Sequence, residues 1–109
     1  MKILFVCTGN IARSPTAEAL FGELTRGQPH EARSVGTSPS APHPLAEADL
    51  AWADVVAVME PAHRGFLEAY WPTYLPKVRV LGIPDLYPPH DPVLRELLAG
   101  KILALLAGS

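Results

Sequence analysis

The sequence predicts an α/β fold in which a four-stranded parallel sheet carries helices on both faces. Short apolar runs alternate with amphipathic stretches along the chain, and this alternation is typical of parallel strands joined by covering helices. The 109 residues contain no internal repeat, low-complexity tract or linker. We therefore expect one domain over residues 1–109 with a single core.

The pattern predicts each element in turn. Buried strands are expected at residues 3–6, 32–35, 55–59 and 78–81. Helices are expected from Ser14 to Gly27, around residues 45–52, from Pro61 to Trp71, and after the Asp91–Pro92 pair. Ser14 suits the N-cap of the first helix, and Gly27 suits its end. Loops follow the strand ends at residues 7–14, 36–44 and 83–90, which is where sheets of this kind bind ligands.

Composition narrows the classes of protein to consider. No apolar run approaches the roughly 18 to 20 residues that span a bilayer, and residues 1–6 are too few for a signal peptide, so we expect the cytoplasm. The single cysteine excludes an internal disulfide and a cysteine-based zinc cluster. A net charge of -2 gives no reason to expect nucleic acid or an anionic membrane as partner.

The first predicted strand leads into a segment, Cys7–Ser14, whose residue types suit attack on a phosphate monoester. Gly9 and Asn10 tolerate positive φ angles, so the loop can curl with its N–H groups pointing inward. A nest of this kind binds an anion, and the N-terminus of the following helix adds partial positive charge. The segment is therefore a candidate phosphate-binding loop.

Three side chains of this loop supply the remaining chemistry. Arg13 offers a planar fork for two phosphate oxygens. The positive surroundings favour the thiolate of Cys7, which is the nucleophilic form, and the Ser14 hydroxyl can donate to that thiolate. A lone cysteine at the end of a buried strand is usually a small core residue. Cysteine followed by five residues and then Arg-Ser, between a strand and a helix, favours the nucleophile instead.

The stretch Cys7–Ala19, CTGNIARSPTAEA, resembles the signature of the low-molecular-weight protein tyrosine phosphatases. The similarity continues in Ser34–Thr37, Trp52–Glu60 and Ile83–Asp85, and it is closest to a short predicted branch of that family. It implies a four-stranded parallel sheet, a cysteinyl-phosphate intermediate, no cofactor and no metal, and a phosphorylated protein or small phosphomonoester as substrate. The resemblance also implies that Cys7 and Arg13 are catalytic and that the other loop residues bind the substrate, namely Thr8, Gly9, Asn10, Ile11, Ala12 and Ser14.

Hydrolysis also needs an acid for the leaving oxygen and a base for the attacking water, and one carboxyl group can serve as both. Asp85 matches the general acid of the family, although the proline that follows it there is Leu86 here. Asp91 competes because it precedes a proline, but we expect it to cap the last helix. Tyr87 stands where the family packs an aromatic ring against the substrate; a loop aromatic that covers the core fits it equally well.

The sequence departs from the family in two places. The stretch between Thr37 and Leu45 is compressed, so a wall of the substrate site is expected to be missing. Ala12 stands where many members carry a second cysteine that shields the nucleophile as a disulfide. Outside the motif, the histidines show no metal-ligand spacing and are expected to be surface or capping residues; they are His43, His63 and His90.

Four alternative functions compete with this interpretation, and the single cysteine argues against the second of them. Cysteine phosphocarriers of sugar phosphotransferase systems are similar in length and fold, but they lack an arginine in the position of Arg13. Arsenate reduction on this fold needs further redox cysteines. A protein-arginine phosphatase is similar in sequence, although Ile11 stands where that branch typically has threonine, which favours an aryl phosphate. A non-catalytic phosphate-binding module is the fourth.

Overall fold

A parallel sheet of four strands forms the centre of the computed structural model, which describes residues 1–108. The strands are β1 (Lys2–Cys7), β2 (Glu31–Gly36), β3 (Val55–Val58) and β4 (Val78–Val80), in the order β2-β1-β3-β4. The α-helices are α1 (Arg13–Leu24), α2 (Glu47–Trp52), α3 (Pro61–Tyr70) and α4 (Pro92–Ala107), and a 3₁₀ helix covers Pro72–Lys77. The predicted fold class is confirmed.

Strand β1 is hydrogen-bonded on both sides, to β2 and to β3. The chain leaves β1 toward β2 and then returns across the sheet to β3, so the carboxyl end of β1 lies at the point where the strand order reverses. A crevice opens at such a switch point in an open α/β sheet. Cys7 is the last residue of β1 and pairs with Gly36 at the end of β2.

Side chains on the two faces of the sheet form two apolar layers. Alternation along β1 sends Ile3 and Phe5 to one face and Leu4 and Val6 to the other. The first layer packs under α1 and α4 and includes Ala17, Leu20, Phe21, Leu94, Leu98 and Ile102. The second lies on the side of α2 and α3 and includes Val35, Leu50, Val56, Val58 and Leu67. Burial on both faces explains why β1 is a continuous apolar run rather than an alternating one.

Two helix boundaries differ from those expected from the sequence. Helix α1 begins at Arg13, with Ala12 as its N-cap, so Ser14 lies inside the first turn and does not cap the helix. The Ser14 hydroxyl is used elsewhere, because it lies 3.0 Å from the sulfur of Cys7. The helix ends at Leu24 and not at Gly27, because the Thr25 hydroxyl donates to the carbonyl of Phe21 at 2.7 Å and closes the last turn.

The predicted start of α4 is confirmed. Oδ1 of Asp91 accepts hydrogen bonds from the backbone N–H groups of Val93 and Leu94, and Pro92 occupies the first turn. These bonds satisfy two N–H groups that have no partner within the helix.

Within residues 1–108, no helix combines the length and the apolar character that crossing a membrane requires.

Candidate active site

The loop that joins β1 to α1, residues 7–14, is here called the first loop, and it is organised around the sulfur of Cys7. The backbone N–H of Asn10 donates to this sulfur at 3.2 Å, and Oγ of Ser14 lies 3.0 Å from it. Cys7 itself is only 2% exposed. Both groups can donate to the sulfur, which lies at the base of the site.

Asn10 holds the first loop in its curled shape. It is the loop residue with positive φ, at 55°, whereas Gly9 does not adopt the positive φ that the sequence suggested for it. Nδ2 of Asn10 donates to Oγ of Ser14 at 2.9 Å and to Oγ of Ser34 at 3.2 Å. Its Oδ1 accepts from the backbone N–H of His43 at 3.2 Å. Asn10, an ordinary turn residue when considered in isolation, therefore ties the first loop to two other segments.

This network also sets the direction of the Ser14 hydroxyl. Because Oγ of Ser14 already accepts from Asn10, its proton is directed either to Cys7 Sγ or to the carbonyl oxygen of Val35, which lies 3.3 Å away. A thiolate is the stronger acceptor of the two, because hydrogen bonds to charged groups are stronger than those to neutral ones. Ionisation of Cys7 therefore draws the Ser14 proton to the sulfur.

Arg13 is buried beside Cys7 and is held at one end of its guanidinium group. Nη1 donates to the carbonyl oxygen of Ile83 at 2.9 Å and lies 3.0 Å from Oε1 of Glu60. Nε is 3.8 Å from Oδ1 of Asp85, and Nη2 has no hydrogen bond to any residue in the described part of the chain. The Nη1 end is thus fixed by the protein, which leaves Nη2 to meet an anion. Glu60 was not identified from the sequence, although a carboxylate directly after β3, beside the end of β1, is a detectable signal.

A cavity of about 310 Å³ lies over the first loop. Its lining residues are Cys7, Gly9, Ile11, Ala12, Arg13, Asp85, Tyr87 and Pro89. The fold thus joins the first loop to the loop after β4 around one space. Asn10 and Ser14, predicted to bind substrate, instead direct their side chains into the buried network behind the loop.

The two candidate acids lie in different surroundings. Asp85 lines the cavity, and its carboxylate is 69% exposed, whereas Asp91 caps α4 and does not line it. Of the two carboxylates, only that of Asp85 therefore borders the cavity over Cys7. Tyr87 lines the same cavity and also packs against the apolar layer under α1 and α4.

The compressed stretch 37–45 supports the first loop from outside and does not line the cavity. It closes on itself through a bridge between Gly36 and Pro44. The N–H groups of Thr37 and Ser38 donate to the carbonyls of Cys7 and Thr8 at 2.9 and 3.0 Å. These hydrogen bonds make the stretch a support for the first loop.

His63 is more deeply buried than the sequence suggested. His63, predicted as a surface or capping residue, does cap α3, because its Nδ1 accepts from the backbone N–H of Glu60 at 3.0 Å, but it is only 3% exposed. Its Nε2 lies 2.9 Å from Oγ1 of Thr8. Burial lowers the pKa of His63, the positive charge of Arg13 lowers this pKa further, and the carboxylates of Glu60 and Asp85 oppose both effects.

Residues 1–108 contain no group of three or more His, Cys, Asp or Glu side chains that could hold a metal ion.

The fold and the site together define a class of α/β protein that has a cysteine-centred loop at the end of its first strand. Comparison with known protein families and structures agrees with this class. The family model described as low molecular weight phosphotyrosine protein phosphatase matches residues 2–46. PtpB of Staphylococcus aureus, a low molecular weight protein-tyrosine-phosphatase, is 34% identical over 90 residues, which cover 65% of each chain. A protein-arginine-phosphatase of Bacillus subtilis is 34% identical over 105 residues, or 74% of this chain and 70% of that protein.

A solved structure extends the comparison to nearly the whole chain. It is a mutant of the YwlE arginine phosphatase with a phosphorylated active site serine, and it is 26% identical with a TM-score of 0.81 over 99% of this chain and 95% of that one. The chain belongs to the low-molecular-weight protein tyrosine phosphatase family. It spans about 65% of the length of the PtpB relatives that it matches.

Proposed function

We propose that this chain is a phosphomonoester hydrolase of the protein tyrosine phosphatase type, and that it acts through a cysteinyl-phosphate intermediate without a metal. One observation carries the proposal: Cys7, Arg13 and Asp85 line a single cavity, and two donors meet the Cys7 sulfur. Membership of the family supports it, as does the related YwlE structure with a phosphorylated active site serine.

In the first step the Cys7 thiolate attacks phosphorus. A sulfur–phosphorus bond forms while the bond to the ester oxygen breaks, and the leaving oxygen takes a proton from Asp85. Nη2 of Arg13 and the backbone N–H groups of the first loop hold the equatorial oxygens, where charge concentrates in the transition state. Positioning and charge stabilisation of this kind supply most of the catalysis in phosphoryl transfer.

In the second step Asp85, now a carboxylate, takes a proton from water while the water oxygen attacks phosphorus. The sulfur–phosphorus bond breaks, inorganic phosphate forms, and Cys7 leaves as a thiolate. The Ser14 hydroxyl, 3.0 Å from the sulfur, donates to this thiolate and makes it a better leaving group. Asp85 ends the cycle protonated, ready for the next substrate.

The rim of the cavity supports an aryl phosphate as substrate. Ile11 is 66% exposed beside the cavity, and Tyr87 supplies an aromatic ring opposite the first loop. These apolar groups suit the flat ring of phosphotyrosine, in a protein or in a small molecule. Protein-arginine phosphatase is the second candidate, favoured by the identity to the Bacillus subtilis protein.

We also propose the cytoplasm as the location of this activity. A nucleophilic thiolate must stay reduced, and the reducing cytoplasm keeps thiols in that state. The chain has no second cysteine with which Cys7 could form a protective disulfide. Fractionation of the source cells, with the protein detected by antibody, tests the location: recovery outside the cytoplasmic fraction contradicts it.

A substrate panel tests the proposed function. Phosphotyrosine, phosphoserine, phosphoarginine and a nitrophenyl phosphate are compared with and without a chelator, alongside Cys7→Ser. We expect turnover of the aryl phosphates that is unaffected by chelation and abolished in Cys7→Ser, while inorganic phosphate still binds that variant. Activity that disappears with the chelator and returns with a divalent ion contradicts the proposed chemistry.

The same panel separates the alternatives. Preference for phosphoarginine over phosphotyrosine favours the second candidate. Phosphate binding without turnover of any substrate indicates a non-catalytic module. A cysteinyl phosphate that is stable to water but passes its phosphoryl group to an added acceptor indicates a phosphocarrier.

A further inference from the structure

The N-terminus of α3 contacts the first loop through two residues, Glu60 and His63, which we call the α3 brace. Glu60 holds the guanidinium of Arg13 through Oε1 at 3.0 Å, and Nε2 of His63 lies 2.9 Å from the hydroxyl oxygen of Thr8. Thr8 directly follows the nucleophile Cys7. The brace thus reaches both ends of the first loop from outside the cavity, because neither of its members lines it.

The hydrogen bonds of His63 fix its tautomer. Nδ1 accepts from the backbone N–H of Glu60 at 3.0 Å, so Nδ1 carries no proton. A neutral imidazole then carries its proton on Nε2, which donates to Oγ1 of Thr8. On its other side, the carbonyl oxygen of Thr8 accepts from the N–H of Ser38 at 3.0 Å. Thr8 is therefore held from both sides at the residue next to the nucleophile.

We propose that His63 is a positioning residue of the active site: its neutral ring, by donating from Nε2 to Thr8, holds the first loop in the shape that binds the phosphoryl group. His63 touches neither Cys7 nor the cavity and acts through Thr8. The inference rests on the proposed function only in that phosphate is taken as the ligand of the first loop.

Protonation of His63 would release one of the two hydrogen bonds that hold its ring. A doubly protonated ring cannot accept at Nδ1, so it loses the bond from Glu60 N–H and gains a charge. The charged groups that face His63 are Arg13 from α1, Glu60 from its own helix and Asp85 from the loop after β4. The pKa of His63 is lowered from 6.5 by burial and by Arg13. The bond at Nδ1 is therefore intact at neutral pH and is lost as the pH falls below 6.5 through this lowered pKa, while Nε2 keeps its proton.

The test measures the affinity for inorganic phosphate, by competitive inhibition and by calorimetry, in a double-mutant cycle. Thr8→Val removes only the hydroxyl, and His63→Leu removes the donor. Each single variant should bind phosphate about tenfold more weakly, the scale of one lost hydrogen bond with a partner left unpaired. The double variant should be no weaker than either single one, because both changes remove the same bond.

His63→Gln serves as the rescue variant. A glutamine at the third helical position can accept from the N-cap N–H while its amide N–H₂ still donates, and it does not titrate. We expect His63→Gln to bind phosphate within about threefold of the parent at pH 7.5. On a logarithmic scale, this loss is less than half of the loss expected for His63→Leu. Below pH 6.5 the parent should weaken relative to His63→Gln, because only the parent has a side chain at this position that takes up a proton.

Each outcome decides the inference. Additive losses in the cycle overturn it, as do variants with a lower melting temperature but unchanged phosphate affinity, because a purely structural role has that signature. If the parent protein binds phosphate and turns over substrate but the double-mutant cycle is additive, only the proposed role of His63 is refuted. A parent that neither binds phosphate nor turns over substrate refutes the proposed function as well.

Discussion

Nη1 of Arg13 lies 3.0 Å from Oε1 of Glu60, so one end of the guanidinium group is fixed by a carboxylate before any ligand arrives. The carbonyl of Ile83 accepts from the same nitrogen at 2.9 Å. Arg13 is 2% exposed, so little water is available to replace these partners. A buried cation that is already oriented loses little side-chain entropy when an anion binds.

Glu60→Ala should lower kcat/KM for an aryl phosphate by about 10- to 100-fold, since a hydrogen bond to a buried charged group is among the stronger ones. Glu60→Gln keeps an acceptor for Nη1 and should lose less than Glu60→Ala. Arg13→Lys should not restore activity relative to Arg13→Ala, because an ammonium lacks the planar fork. Steady-state kinetics of the four variants check this order. Equal losses in both Glu60 variants would show that its charge, and not its hydrogen bond, matters.

Asp85 and Asp91 should differ sharply when each is changed to asparagine. Asp85→Asn should slow turnover of phosphotyrosine by about a hundredfold or more, the usual scale of acid–base assistance, and the loss should shrink for a nitrophenyl leaving group that needs no proton. Asp91→Asn should leave turnover nearly unchanged because asparagine also caps helices. The two variants are compared on both substrates at several pH values.

The stability of these variants provides the matched control. Asp91→Ala removes the cap seen at Val93 and Leu94 and should lower the free energy of unfolding by about 1 kcal/mol, whereas Asp85→Ala should change it little. A large defect of Asp91→Asn that depends on the leaving group would instead make Asp91 the acid.

Peroxide should inactivate this protein more persistently than its relatives with a second cysteine. The thiolate of Cys7 oxidises to a sulfenic acid, and the chain has no other cysteine to trap it as a disulfide, so further oxidation to the irreversible sulfinic acid is open. Ala12→Cys should increase the activity recovered with dithiothreitol, and Ala12→Ser is the control of similar size. Full recovery of the parent, with no small thiol present during oxidation, would contradict this prediction.

Gly36 should not tolerate a side chain. A Cβ at this position would lie 2.5 Å from the carbonyl oxygen of Thr8 and 2.8 Å from Cβ of Ala41, so the first loop and the stretch 37–45 would have to separate. Gly36→Ala should cost about 1–3 kcal/mol of stability, the scale of overpacking, and should weaken phosphate binding. Gly22→Ala, at a glycine with open space around it, is the control. Unchanged phosphate affinity in Gly36→Ala would contradict the close approach.

The local features of this protein were determined by its sequence. The run of apolar residues before Cys7 specified a strand buried on both faces, and the spacing from Cys7 to Arg13 specified a loop between strand and helix. Asp91 followed by proline specified a helix cap, which the structure confirms. These predictions succeed because strand burial, turn chemistry and capping depend on neighbours within a few residues.

The tertiary structure alone decided which distant residues meet the first loop. Ser14 looked like a helix cap because its local pattern is that of one, but the sulfur of Cys7 competes for its hydroxyl. The sequence could not pair His63 with Thr8 or Glu60 with Arg13, since these partners lie far apart along the chain. Parallel strand order brings the ends of β1 and β3 together, and this long-range pairing, which no local pattern encodes, placed both residues beside the first loop.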